Sequence, residues 1–254
     1  RAAFLGRVHD DALGHAFCRD IAAASVLFNN APHKTGAPTA SSIILVTPDA
    51  CRSMNTFLGA CIEFQPDDIL EADAQAAKII YLEGYLFDAP EGPAIFARAG
   101  ELAAKFGCKI SLSLSDPWCA ERHRGALNDF IKNHVDILFA NEAEASSLCE
   151  VPVEAAIDML VCDVEELVVT RGANGAFVGT RDLRCETAAR PTGDVVDTTG
   201  AGDLFAAGYL YGRTNGYDIE ASAVIASVAA GEIISHVGAR PRADLQKLVS
   251  AAWA

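Results

Sequence analysis

Between Asp197 and Asp203 the chain reads DTTGAGD, and Leu204, Phe205, Ala206 and Ala207 follow at once. Glycines in the first turn of a helix open its free amides to an anion. A carboxylate in the same turn repels that anion unless the two groups act on different atoms. Two roles are open for Asp203. Either it complements the helix dipole, worth about 0.3–1 kcal/mol, or it is a general base beside an oxyanion-type cradle. In the second role it takes a hydroxyl proton while amides hold phosphoryl charge. Thr199 is read as the cap of this helix, with Gly200, Ala201 and Gly202 in its first turn.

Other polar residues fall just after apolar runs. Ser115-Asp116 follows CKISLSL, Asn141-Glu142-Ala143-Glu144 follows VDILFA, and Arg171-Gly172-Ala173-Asn174-Gly175 follows ELVVT. In a doubly wound sheet ligands bind beyond the carboxyl ends of the strands, so acidic positions and a glycine-rich loop converge on one edge. That set suits a metal-phosphate ligand, because Mg²⁺ takes one or two carboxylates and keeps its waters. Asn141 and Glu144 equally fit a capping box, and Gly172 and Gly175 equally fit a turn into a hairpin.

The elements that must carry these residues alternate. KIIYLEGY, CKISLSL, VDILFA and ELVVTRG read as strands. Between them GPAIFARAGELAAKFG, closed by Gly107, the stretch Glu121 to Lys132, EAEASSLC and VEAAIDMLVCDV read as helices. Such alternation predicts an α/β fold, a mostly parallel sheet with helices on both faces. ASSIILVTPDACRSMNTFLGACIEF (Ala40 to Phe64) differs: two strand-like runs meet at the turn TPDACRS, as in a hairpin. GAFVGTRDLRCETAA reads as a second hairpin on the sheet edge, and nearly everything after Gly200 as helix.

Bulk properties exclude several classes. The 254 residues carry a net charge of -14, against the basic face that nucleic acid requires. The apolar run Ala221 to Gly231 ends at Glu232, short of the ~18 residues a membrane helix needs. Eight cysteines without a C-x-x-C spacing read as reduced thiols of a cytoplasmic protein. No G-x-G-x-x-G opens the first strand–helix unit, which argues against a Rossmann dehydrogenase.

DTTGAGDLFAAG resembles the C-terminal signature of the ribokinase-like, or PfkB, carbohydrate and nucleoside kinases. NEAE is similar to that family's magnesium motif, VTRGANGA to its nucleotide loop, and SHVGARP to its cation loop. The resemblance covers essentially the whole chain, as one kinase domain over 1–254 with residues 40–64 part of a small β lid. It implies ATP-dependent phosphorylation of a primary hydroxyl, with Asp203 as base and the Gly200, Ala201 and Gly202 amides as anion hole. Asn141 and Glu144 would serve Mg²⁺. Thr170, Gly172, Gly175, His236 and Gly238 would meet ATP, and Asp197 would support a monovalent cation such as K⁺.

Among family members the sequence looks most like bacterial adenosine kinases. Adenosine is therefore the expected acceptor, with a free sugar such as ribose or fructose, or a non-catalytic binding protein, as alternatives. Asn55 and Thr56 on the lid could face the acceptor or simply pack the lid strands. Arg122 and Arg124 could touch phosphate or line a solvated helix face. The family's first strand, its sugar-gripping aspartate and its Gly-Gly hinge fall before Arg1, so an N-terminal strand and part of the lid are expected to be missing. The run Ile43–Val46 permits a homodimer through the lid.

Overall fold

The computed structural model describes residues 1–253. They gather into two compact units, Arg1–Ile43 with Met54–His134, and Ile44–Ser53 with Val135 onward. The elements are α/β in order, as the alternation of runs implies.

The first unit opens with α1 (Ala12–Ala23), capped by Asp11, whose carboxylate accepts the amides of Gly14 at 2.8 Å and Thr39 at 2.9 Å. β1 (Ser41–Val46) and β2 (Arg52–Phe57) form a two-stranded sheet whose tip belongs to the second unit. Ile43 and Leu45 on it are 69% and 58% exposed, unusual for large aliphatics. The hairpin ends sooner than the 40–64 pattern suggests, because Gly59–Glu63 winds into a 3-10 turn. Gly59 starts that turn with φ +50, at a point where a Cβ would meet the Pro38 carbonyl at 2.2 Å.

After α2 (Glu71–Ala76), β3 (Ile79–Glu83) and β4 (Lys109–Ser113) pair in parallel, from Ile79 beside Lys109 to Glu83 beside Ser113. Between them α3 (Gly92–Phe106) buries Ile95, Phe96, Ala99, Leu102 and Ala103, one stripe at helical spacing. Gly107 closes α3 in the left-handed conformation at φ 69, as expected of the residue after a helix. The helix anticipated over 121–132 is two helices, α4 (Pro117–Arg122) and α5 (Arg124–His134). Asp116 caps the Cys119 amide and Pro117 takes the first helical position, so the chain turns helical earlier. It breaks at His123, which leaves helical angles and places its ring 2.7 Å from Asp88.

In the second unit β5 (Ile137–Asn141) and β6 (Glu166–Thr170) pair in parallel and end side by side at Asn141 and Thr170. Their inner residues are buried, which is why both read as unbroken apolar runs. β7 (Ala176–Gly179) and β8 (Arg184–Thr187) follow antiparallel, the expected edge hairpin. α6 (Glu142–Cys149) and α7 (Val153–Leu160) connect β5 to β6, with α7 stopping short of the pattern that runs to Val164.

Beyond β8 lie α8 (Ala201–Thr214), α9 (Ile219–Ile233) and α10 (Leu245–Ala252). α8 meets α9 backbone to backbone: a Cβ on Gly208 would stand 2.8 Å from Ala226 Cα, and one on Gly212 2.4 Å from Ser222 Oγ. The buried Glu166 carboxylate holds the far end of α8, accepting from the Tyr209 hydroxyl at 2.6 Å and the Arg213 guanidinium at 2.7 Å. That grip lies at the amino end of β6, so the first turn of α8 opens toward the carboxyl ends of the strands. Among the described residues no helix is long and apolar enough to cross a membrane.

Candidate active site

The cap of α8 is Gly200, not Thr199. Gly200 stands at φ 83, ψ 2, a left-handed conformation that a side chain resists. The reason lies three residues earlier, where Asp197 Oδ1 accepts the Thr199 amide at 2.9 Å and turns the chain. The Thr199 hydroxyl is left buried with no hydrogen-bond partner among the described residues. The Ala201 amide donates to the Thr198 carbonyl at 3.2 Å, so of the three expected cradle amides it is already engaged. Gly202 faces open space, with nothing within 4 Å of where a Cβ would stand, and Asp203 beside it is exposed.

Asp197 is 2% exposed and joins two segments, the Thr199 amide through Oδ1 and the Gly238 amide through Oδ2 at 3.0 Å. Burial pushes its carboxyl up, but the Gly238 and Thr199 bonds and the nearby Arg52 charge outweigh it, holding the group below the usual carboxylate value. A depressed folded value stabilises the fold at pH above the unfolded value of ~3.9 and is lost as pH falls through the lower folded value. Asp197→Asn is therefore expected to lower the melting temperature at pH 7, with a gap to the parent that narrows below about pH 4. Melting curves from pH 7 to 3 test this; a gap that stays constant contradicts it.

Arg52, at the hairpin tip, donates to Thr198 Oγ1 at 2.8 Å, and Thr198 Oγ1 approaches the Ala50 carbonyl at 3.5 Å. The tip thus sets a guanidinium beside the loop that leads into α8. Sequence reasoning passed over Arg52, although it is the only cation in the turn TPDACRS.

A second cluster gathers where β5 and β6 end. Asn141 caps α6 with Oδ1 on the Glu144 amide at 2.9 Å, and Glu144 returns to the Asn141 amide at 2.9 Å, the complete capping box. Asn141 Nδ2 also donates to Glu144 Oε1 at 2.6 Å. The capping reading therefore holds, and these same oxygens are hard donors of the kind Mg²⁺ takes through its waters. Among the described residues no three His, Cys, Asp or Glu side chains cluster as a metal cage. A metal held here would draw its remaining ligands from water and phosphate.

Thr170 stands next to Asn141 across the ladder and directs its hydroxyl to the Ala140 carbonyl at 3.4 Å. The following loop divides its two glycines between two tasks. Gly175 serves the turn, since a Cβ there would lie 1.9 Å from the Thr187 carbonyl. Gly172, at φ +55, borders open space and leaves room for a ligand. Arg171 pins the loop, reaching Glu154 at 3.0 Å and Glu186 at 3.1 Å.

His236 stands 3.2 Å from Glu232, and Gly238, at φ +106, faces open space beyond its bond to Asp197. Asn55 and Thr56 both lie exposed on β2, where neighbouring side chains leave the strand on opposite faces. The Thr56 hydroxyl pairs with Ser42 on β1 at 2.8 Å, the lid-packing alternative. Arg122 pairs with Asp88 at 2.7 Å, so an ion pair explains it without phosphate.

The chain matches the pfkB family of carbohydrate kinases over residues 1–245. Its fold superimposes with a TM-score of 0.96 on a probable sugar kinase from Rhizobium etli, 40% identical, covering 100% of this chain and 77% of the other. It reaches the same TM-score of 0.96 with an adenosine kinase from Sinorhizobium meliloti, 39% identical, covering 99% and 78%. A Saccharomyces cerevisiae adenosine kinase is 30% identical over 206 residues, 74% of this chain and 58% of its own length. The chain thus spans less than two thirds of that curated relative. With the fold, the glycine turn before Asp203 and the capping box at Asn141 all in place, the chain belongs to the pfkB carbohydrate kinase family.

Proposed function

We propose that the chain transfers the γ-phosphoryl group of ATP to a primary hydroxyl, with the 5′-hydroxyl of adenosine as the favoured acceptor. The observation that carries this reading is the exposed Asp203 carboxylate immediately after the open turn Gly200–Gly202. A base there takes the acceptor's proton, while the free amides of the turn face the transferring phosphoryl oxygens. Arg52, held over the same loop by Thr198, adds positive charge for the phosphates. Positioning and neutralisation of this kind supply most of the catalysis in phosphoryl transfer.

The open surface at Gly172 and Gly238 suits a nucleotide lying against the backbone, with Thr170 at the strand end beside it. When bound, Mg²⁺ would neutralise phosphate charge, and Asn141 and Glu144 would hold it through water. Asp197 and the backbone of the 235–241 loop would seat a monovalent cation such as K⁺, and their present bonds already bring those segments together. We place the enzyme in the cytoplasm.

A sugar kinase is the second reading, favoured by the Rhizobium etli relative, which matches this fold as closely as the adenosine kinase does. Steady-state ATP turnover with adenosine, inosine, ribose and fructose separates the two. The proposal expects adenosine to give a kcat/KM at least about tenfold above any free sugar, a difference of about 1.4 kcal/mol. Turnover with ribose or fructose and none with adenosine would replace the nucleoside reading by the sugar reading.

A further inference from the structure

Glu232 is a charged residue near the C-terminal end of the apolar helix α9, and it is 3% exposed. A carboxylate placed so deep is costly unless it is well bonded. Its Oε1 accepts from the amides of Arg242 and Ala243, both at 2.9 Å, and stands 3.2 Å from His236 Nε2. Its Oε2 is buried without a partner among the described residues. One oxygen therefore gathers both ends of the 235–243 loop, His236 near its start and Arg242 and Ala243 at its finish. The middle of that loop is where the Gly238 amide meets Asp197 at 3.0 Å, and where Ala239 stands 3.3 Å from the position of a Gly200 Cβ. The Arg242 guanidinium adds a bond to the Val237 carbonyl at 2.9 Å inside the same loop. All three contacts are made to the same acceptor oxygen, Oε1.

We propose that Glu232 is a positioning residue that closes the 235–243 loop through this single acceptor and so holds the loop against the Asp197–Gly200 turn. Resting on the kinase reading above, the consequence is selective. The loop is the part placed against ATP, so loosening it weakens nucleotide binding and spares the acceptor. A merely space-filling role predicts that both substitutions are tolerated, because methionine and glutamine each fill the volume of glutamate.

The test compares Glu232→Met and Glu232→Gln with the parent chain by calorimetric titration of ATP with Mg²⁺, steady-state kinetics and amide hydrogen exchange. Glu232→Met is expected to weaken ATP binding at least about tenfold, a step of about 1.4 kcal/mol. The KM of the acceptor stays within twofold, and exchange protection over residues 236–243 is lost. Glu232→Gln, which keeps an acceptor, stays within about threefold of the parent in ATP affinity and retains protection. Equal damage in both variants overturns the proposal, as does ATP affinity in Glu232→Met matching the parent. If Glu232→Met does not fold, His236→Ala, which removes one of the three donors, decides. It is expected to raise exchange across 236–243, and unchanged exchange there overturns the proposal whatever happens to ATP binding. A parent chain that binds no ATP refutes the kinase reading instead, while the exchange comparison still judges the loop closure.

Discussion

Asp203→Asn is expected to lower turnover by about 10²–10⁴-fold, the span of a general base, while ATP binds as it does to the parent chain. The substitution is chosen because it changes little else. Asparagine matches aspartate in shape and is tolerated in a first helical turn. Asp203 is exposed, so no buried partner is orphaned. What disappears is the capacity to accept a proton from the acceptor hydroxyl. Were Asp203 only a complement to the helix dipole, its loss would cost about 0.3–1 kcal/mol of stability and leave turnover almost untouched. Paired measurement of kcat and of ATP affinity separates these cases. Turnover within threefold of the parent removes Asp203 from the mechanism.

Gly231→Ala is expected to destabilise the chain by about 2–4 kcal/mol, at the upper end for a single added methyl. A Cβ on Gly231 would lie 1.8 Å from the Arg190 carbonyl oxygen and 2.5 Å from its carbon. Both atoms are backbone, so no rotamer change relieves the contact and α9 must move away from the segment entering the Asp197 loop. The Gly231 carbonyl also receives the Thr192 amide at 3.3 Å, which ties the same two segments. For a chain of this length that range corresponds to a fall in melting temperature of about 4–16 °C. Calorimetric melting reads it directly; a fall under about 2 °C would show that the segments can separate without cost. Gly125, with open space around it and no left-handed backbone, is the control whose alanine variant meets no clash.

The α/β character was legible because fully buried parallel strands leave unbroken apolar runs, as in VDILFA, and α3 kept its stripe and its Gly107 stop. The capping box at Asn141 and Glu144 was equally plain, since its signal is local. Thr199 failed as a cap because its hydroxyl accepts no helix amide and the turn is set by Asp197, whose other oxygen reaches Gly238, a partner 41 residues away in sequence. Spacing alone cannot show a bond of that kind. The break at His123 escaped for the same reason, being fixed by Asp88, 35 residues earlier.

Glu232 is instructive. In the sequence it is merely the charge that interrupts an apolar run, whereas the fold buries it and surrounds one oxygen with donors. A lone carboxylate within an apolar helix was the available signal. Arg52 carried a similar one, a single cation in an otherwise uncharged or acidic turn. Asn55 and Thr56 show the converse, where a pair adjacent in sequence is separated by the alternation of a strand.

Phosphorus NMR of the chain mixed with ATP, Mg²⁺ and adenosine tests the central claim most directly. The γ-phosphate signal is expected to fall as a phosphomonoester signal coupled to the 5′-methylene protons grows in equal amount. Release of inorganic phosphate alone, or no consumption of ATP with adenosine or any sugar offered, contradicts it.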